Sequence, residues 1–199
     1  MAGCFISFDG VDGSGKSSQA RELVRRLTEA GLEVVATREP GGPPLAESIR
    51  TLLLTGADDK LDAMTELLLF TAARHDHIER VIRPALAAGK VVISDRFVAA
   101  SMAYQGVALE LGVDFVDRLH QSCNGGLQPD LQVIIDIEVE TALARSHWRL
   151  KAEASDESRF ENRAVAFHRR LAAGFEEVAQ RAGDRLLRVD GERDFATIA

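Results

Sequence analysis

Five short runs of apolar and β-branched residues punctuate the chain, at Cys4 to Phe8, Glu33 to Ala36, Val91 to Ser94, Leu131 to Asp136 and Leu186 to Val189. Segments with helical spacing separate them. This alternation predicts an α/β fold, a five-stranded parallel sheet flanked by helices on both faces. After the first run, Leu23, Val24, Leu27 and Ala30 fall three and four apart and Gly31 ends the pattern. That spacing predicts a helix of about four turns with a glycine at its C-terminus. A longer helical pattern runs from Asp62, an N-cap, to Ala88, with a bend at Pro84 and a stop at Gly89. The stretch from Arg145 to Arg159 is rich in charge and poor in apolar spacing, and it reads as a mobile surface loop. Asp194-Phe-Ala-Thr-Ile begins a last helical pattern. No repeat, low-complexity tract or linker divides the chain, so residues 1–199 read as a single domain.

Composition narrows the partners. With 46% hydrophobic and 28% charged residues the chain is an ordinary globular one, and its net charge of -7 argues against nucleic acid as a partner. Small anionic ligands remain open, because local arginines can override the overall sign. The longest apolar runs, such as Leu67 to Phe70, are far short of a membrane span, and no charged-then-apolar leader opens the sequence. A cytoplasmic protein with no membrane partner is expected. Cys4 and Cys123 lie in no C-x-x-C or His-paired motif and are expected to be buried small apolar side chains in a reducing compartment.

Gly10-Val-Asp-Gly-Ser-Gly-Lys16-Ser17 matches the phosphate-binding G-x-x-x-x-G-K-[ST] loop in full, between the first strand and a helix. Glycines let the chain wrap phosphates with its amides turned inward. The expected ATP-binding residues are Gly10, Asp12, Gly13, Ser14, Gly15, Lys16, Ser17 and Ser18. Lys16 brings a cation to the terminal phosphates, Ser17 offers a hydroxyl to Mg²⁺, and the helix adds its positive end. Asp95 closes the third strand at the same sheet edge, so it reads as a second Mg²⁺ contact, through water, rather than as a strand-end turn residue. Arg96 beside it reads as a phosphate clamp. Arg38, before the turn Pro40-Gly41-Gly42, is one more cation than ATP requires, which implies a second phosphorylated ligand. Phe70 and Arg74 share a helix face, as do Ser101 and Gln105, and both pairs suit a nucleobase pocket. Phe70 taken alone, in an apolar run, reads as core.

Together, Phe-Asp-Gly-Val-Asp-Gly-Ser-Gly-Lys-Ser (8 to 17), Thr-Arg-Glu-Pro-Gly-Gly (37 to 42), Leu-Phe-Thr-Ala-Ala-Arg (69 to 74), Asp-Arg-Phe (95 to 97) and Ala-Tyr-Gln-Gly (103 to 106) strongly resemble the bacterial thymidylate kinase family of P-loop nucleoside monophosphate kinases. The resemblance continues through Gln128-Pro-Asp-Leu131 and Ser158-Arg-Phe-Glu161. It implies a P-loop NTPase fold with a lid near residues 145–160, a homodimer, and transfer of the ATP γ-phosphoryl group to dTMP, giving ADP and dTDP. It further implies that Phe70 stacks on thymine while Arg74, Ser101 and Gln105 read its edge, and that Arg38 and Arg96 clamp the acceptor phosphate. Asp12 would meet the sugar 3'-hydroxyl, Tyr104 would fill the space of a 2'-hydroxyl, and a cis Glu39-Pro40 bond would aim Arg38 into the site.

Some positions depart from the family pattern. Ala99-Ala100 stands where many relatives carry Asp-Ser, and Gly106 to Leu111 replaces a Gly-x-Gly-Arg-Gly-like stretch. Some members place a catalytic arginine in the P-loop, where this chain has Gly13. The missing cation is expected from the lid, with Arg149 the first choice and Arg159 the second. A deoxynucleoside kinase would need a carboxylate base where the chain offers Arg38. A non-enzymatic nucleotide switch is disfavoured by the absence of N-K-x-D.

Overall fold

The computed structural model describes residues 3–57, 59–153, 159, 160 and 163–198. Strands β1 (Cys4–Asp9), β2 (Val34–Arg38), β3 (Val91–Asp95), β4 (Leu131–Asp136) and β5 (Leu186–Asp190) form one parallel sheet in the order β2-β3-β1-β4-β5. Several strands outrun their apolar pattern, because ladder bonding continues past the core and delivers polar residues to the carboxyl edge. There Arg38 is in register with Asp95, and Asp95 with Phe8.

Period-two alternation sends side chains to two cores. Ile6, Phe8, Ile93, Val133 and Ile135 pack on α1 (Lys16–Glu29) through Ala20, Leu23, Val24 and Leu27. Phe5 and Val92 join the larger core on the other face, with α3 (Ala63–His77), α5 (Val98–Ser101), α6 (Val113–Asn124) and α8 (Val165–Ala182). At the end of α1, Gly31 takes φ 85°, its N–H donates to Thr28 O at 2.9 Å and that of Leu32 donates to Leu27 O at 3.0 Å. This is the expected glycine stop. The helix α2 (Pro44–Leu54), which the sequence pattern did not single out, packs on α3.

Asp62 caps α3 as expected, accepting from the Met64 and Thr65 N–H groups at 3.0 Å. The bend expected at Pro84 is replaced by a π-helical segment, Ile78–Ile82, leading into α4 (Arg83–Ala87). Proline lacks the N–H for Arg80 O and would crowd that carbonyl; widening the turn accommodates both, with the Arg83 N–H bonded to Ile78 O. A second correction concerns the charged stretch. Residues 145–153 belong to the helix α7 (Val139–Glu153) and are not a loop. Alanine, arginine, leucine and lysine are strong helix formers, and the helix buries the small side chains of Ala142 and Ser146, four residues apart on one face. Residues 154–158, 161 and 162 of the expected lid and its motif lie outside the described residues. Cys123 is exposed on α6 and Cys4 half-buried, so neither is the buried thiol expected. Asp194 caps the short α9 (Phe195–Ile198). Among the described residues no helix is long and apolar enough to cross a membrane.

Candidate active site

The carboxyl edge of the sheet opens into a cavity of about 1300 Å³. Lys16, Ser17 and Ser18 line it together with Arg38, Phe70, Arg74, Asp95, Arg96, Ser101, Tyr104 and Gln105, so one space holds the residues expected to serve two ligands. Its remaining wall comes from α7, through Arg145, Trp148 and Arg149, and from Phe160.

The phosphate loop turns on Gly10, Gly13 and Gly15, at φ 140°, 84° and 94°. Gly13 has a second reason to lack a side chain. A Cβ there would lie 2.0 Å from Ala142 O and 3.1 Å from the Ser146 N, so α7 rests directly on the loop. A P-loop arginine at this position is sterically excluded. Lys16 is buried at the start of α1, its Nζ donating to Val11 O at 3.2 Å and to Asp12 Oδ1 at 3.4 Å. Burial and the Arg96 charge pull the ammonium below its ordinary value, against the attraction of Asp12 and Asp95. A triphosphate would reverse that imbalance.

Arg96 adopts φ 74°, unusual for a side-chain-bearing residue, immediately after β3. Its Nη1 donates to Gly10 O at 3.1 Å and its Nη2 to Asp12 Oδ1 at 2.5 Å, while the Tyr104 hydroxyl donates to Asp12 Oδ2 at 2.6 Å. Burial would raise the Asp12 carboxyl, but Arg96, Lys16 and Tyr104 together hold it well below the usual range. Asp95 Oδ1 and Ser14 Oγ are buried with no hydrogen-bond partner among the described residues. Lining the same cavity as Ser17, that unpaired carboxylate oxygen suits a hydrated divalent ion. Among the described residues there is no group of three or more His, Cys, Asp or Glu that could hold a metal ion.

In the other half, Arg74 is buried, its Nε donating to Glu39 Oε2 at 2.7 Å and its Nη2 to Ser101 Oγ at 2.8 Å. Glu39 also pairs with His77 Nδ1 at 3.0 Å, and His77 Nε2 with Thr37 Oγ1 at 2.6 Å. Burial favours the protonated Glu39 carboxyl, but the Arg74 charge and the His77 hydrogen bond overcome it and hold the group below its ordinary value. The Glu39–Pro40 bond is cis, and Arg38 Nη2 reaches Glu47 Oε2 at 3.1 Å. Ser101 ends α5, and Tyr104 and Gln105 lie in the π-helical segment Met102–Ala108 that continues it. Gln105 Nε2 donates to Glu66 Oε1 at 2.8 Å, and Gln105 Oε1 is buried without a partner among the described residues. Phe160 stands 6.3 Å from the Phe70 ring and 5.4 Å from that of Tyr104.

The two candidate cations separate. Arg149 lines the cavity, close enough for its charge to act on Lys16. Arg159 is buried, pairing with Glu66 Oε2 at 2.8 Å and donating to Leu53 O at 3.1 Å and Ala57 O at 3.3 Å. It is an anchor of the segment that carries Phe160, and the structure does not bring it to the P-loop.

Sequence reasoning passed over Glu39, Glu66, His77 and Asp9. Glu39 lay inside a quoted motif, and Glu66 shares a helix face with Phe70 four residues on. Asp9 is fully buried, accepting from Ser7 Oγ at 2.9 Å and from the Phe97 N–H at 3.3 Å, and burial raises its carboxyl to about 6. This value exceeds that of the unfolded chain. Below about pH 4 the carboxyl is protonated in both states, and stability is lost as pH rises through about 6, roughly 3 kcal/mol in all. Asp9→Asn is therefore expected to raise the melting temperature at pH 7.5 and to change it little at pH 4. An equal shift at both pH values in thermal melts would contradict this.

Comparison with known proteins follows the same line. A sequence model of the thymidylate kinase family matches residues 8–198. A thymidylate kinase of Cereibacter sphaeroides is 50% identical over 182 residues, covering 92% of this chain and 83% of its own. Those of Ruegeria pomeroyi and Caulobacter vibrioides are 47% and 46% identical, covering 99% and 98% of this chain and 91% and 92% of theirs. The crystal structure of thymidylate kinase from Ehrlichia chaffeensis superposes with a TM-score of 0.76 at 33% identity, covering 95% of this chain and 93% of the other.

Proposed function

The chain belongs to the thymidylate kinase family, and from that premise we propose how its own residues carry the family's reaction. It is a nucleoside monophosphate kinase that moves the γ-phosphoryl group of ATP to dTMP, yielding ADP and dTDP. The observation that carries the assignment of residues is the single cavity with phosphate-binding groups at both ends, Lys16 and Arg149 toward ATP and Arg38 and Arg96 toward the acceptor.

An oxygen of the dTMP phosphate attacks the γ-phosphorus, a bond to the bridging oxygen breaks, and ADP departs with that electron pair. The acceptor is already largely ionised at neutral pH, its second pKa being about 6, so no general base is required. The site matches this need. Asp12 and Glu39 are weak bases, because neighbouring cations hold both carboxyls below their ordinary values, and Asp9 is engaged by Ser7 and Phe97 and is not among the residues that line the cavity, so none is poised to deprotonate a sugar hydroxyl. This disfavours a deoxynucleoside kinase. Lys16, Arg96 and Arg149 neutralise charge in a loose transition state, and α7 excludes water above the loop. Ser17 and Asp95 would hold Mg²⁺, which supplies charge neutralisation on the phosphates when bound. Phe70 packs on the thymine ring; Gln105 Oε1 and Arg74 take up its polar edge.

The decisive test is ADP release measured across nucleoside monophosphates and thymidine, with dTMP expected as the preferred acceptor; equal turnover of thymidine would overturn the reading. Arg74→Ala is expected to weaken dTMP by roughly 1 to 3 kcal/mol, through lost edge contacts, with ATP affinity held. Equal loss for both ligands in binding titrations would make Arg74 purely structural, through Glu39. The reading extends to a homodimer formed on α2 and α3, which pack together and expose Leu45, Leu52, Met64 and Leu68.

A further inference from the structure

Trp148 is the chain's only tryptophan, and it is 75% exposed although it lines the active-site cavity. A large aromatic at the wall of a ligand site offers a broad face that a planar ligand can cover. Its place in the helix says which ligand. Trp148 stands on α7 one turn after Arg145 and beside Arg149, and all three line the cavity. Arg145 Nη1 donates to Gly191 O at 3.0 Å, and a Cβ on Gly191 would lie 3.3 Å from Ser14 O. This flank of α7 is therefore tied to the phosphate loop, with Ser18 and Arg21 of α1 lining the same space. The aromatic groups assigned to the acceptor base, Phe70, Tyr104 and Phe160, pack among themselves, and among the described residues no ring pair joins them to Trp148.

We propose that Trp148 stacks on the purine base of the phosphoryl donor. The inference rests on the kinase reading of the site but concerns only the donor half. A base laid on the indole gains contact area without hydrogen-bond readout, so the residue tightens donor binding with little preference between purines.

Because the chain has one tryptophan, its fluorescence reports this contact directly. In the full chain with Mg²⁺, the β,γ-imido analogue of ATP is expected to quench and shift the emission. Tripolyphosphate, which has no base, is expected to leave it nearly unchanged, as is dTMP alone. In steady-state assays Trp148→Ala is expected to raise the ATP KM about tenfold, with the dTMP KM within about twofold of wild type and Trp148→Phe recovering most of the loss. An unchanged ATP KM in Trp148→Ala, or a quench produced equally by tripolyphosphate or by dTMP alone, overturns the proposal. Absence of dTMP-dependent ADP release by the wild-type protein would instead defeat the underlying kinase reading, whatever the fluorescence shows.

Discussion

Lys16→Ala is expected to lower kcat by at least about a thousandfold while leaving the fold intact. Single preorganised donors aimed at developing charge are worth about a hundred- to a thousandfold, and phosphoryl transfer relies almost wholly on such groups. Lys16 is 4% exposed, and its ammonium is a hydrogen-bond length from Val11 O and Asp12 at the mouth of the loop. On the proposed reading its loss removes a fixed cation from the terminal phosphates, which water cannot replace. The fold survives because Asp12 keeps Arg96 and Tyr104 as partners. Asp95→Ala should be as damaging, because it deletes a buried carboxylate oxygen at that edge that has no protein partner among the described residues. Measurable turnover near the wild-type rate in either variant, with an unchanged circular dichroism spectrum, would remove these residues from the phosphate site.

Arg149→Ala is expected to lower kcat at least about a hundredfold with little change in the dTMP KM, the signature of a contact made in the transition state. Gly13 provides the physical ground. The loop position from which an arginine could reach the transferring group is filled by the backbone of α7, and the same helix carries Arg149 to the cavity. Arg159→Ala should behave differently. Its guanidinium is buried against Glu66 and two backbone carbonyls, so its removal takes one cation from Glu66, which keeps Arg163 and Gln105, and is expected to lower stability by about 1 to 3 kcal/mol. Thermal melts and rates measured together separate the two arginines. A near wild-type kcat in Arg149→Ala would mean that the cation comes from elsewhere.

The sequence by itself determined the sheet, its strand positions, the phosphate loop and the polar residues at the carboxyl edge. These are local matters: alternation fixes which side chains face the core, and a run that ends on Arg38 or Asp95 leaves that residue at the edge of a parallel ladder. Family motifs then supplied roles for Phe70, Arg74, Ser101, Tyr104 and Gln105, and the cavity gathers all five. The tertiary structure alone decided what joins residues distant along the chain. Glu39 binds Arg74 and His77 across 35 and 38 positions, and Glu66 holds Gln105, Arg159 and Arg163 from separate elements. A periodicity cannot show such pairs, because a buried charge is placed by its partner and not by its neighbours in sequence. Composition likewise read residues 145–153 as a loop, since a charged helix that buries small side chains such as Ala142 and Ser146 looks much the same along the chain as a solvated coil. Only its seat on Gly13, where a glycine needed for the turn also gives the helix room to approach, separates the two.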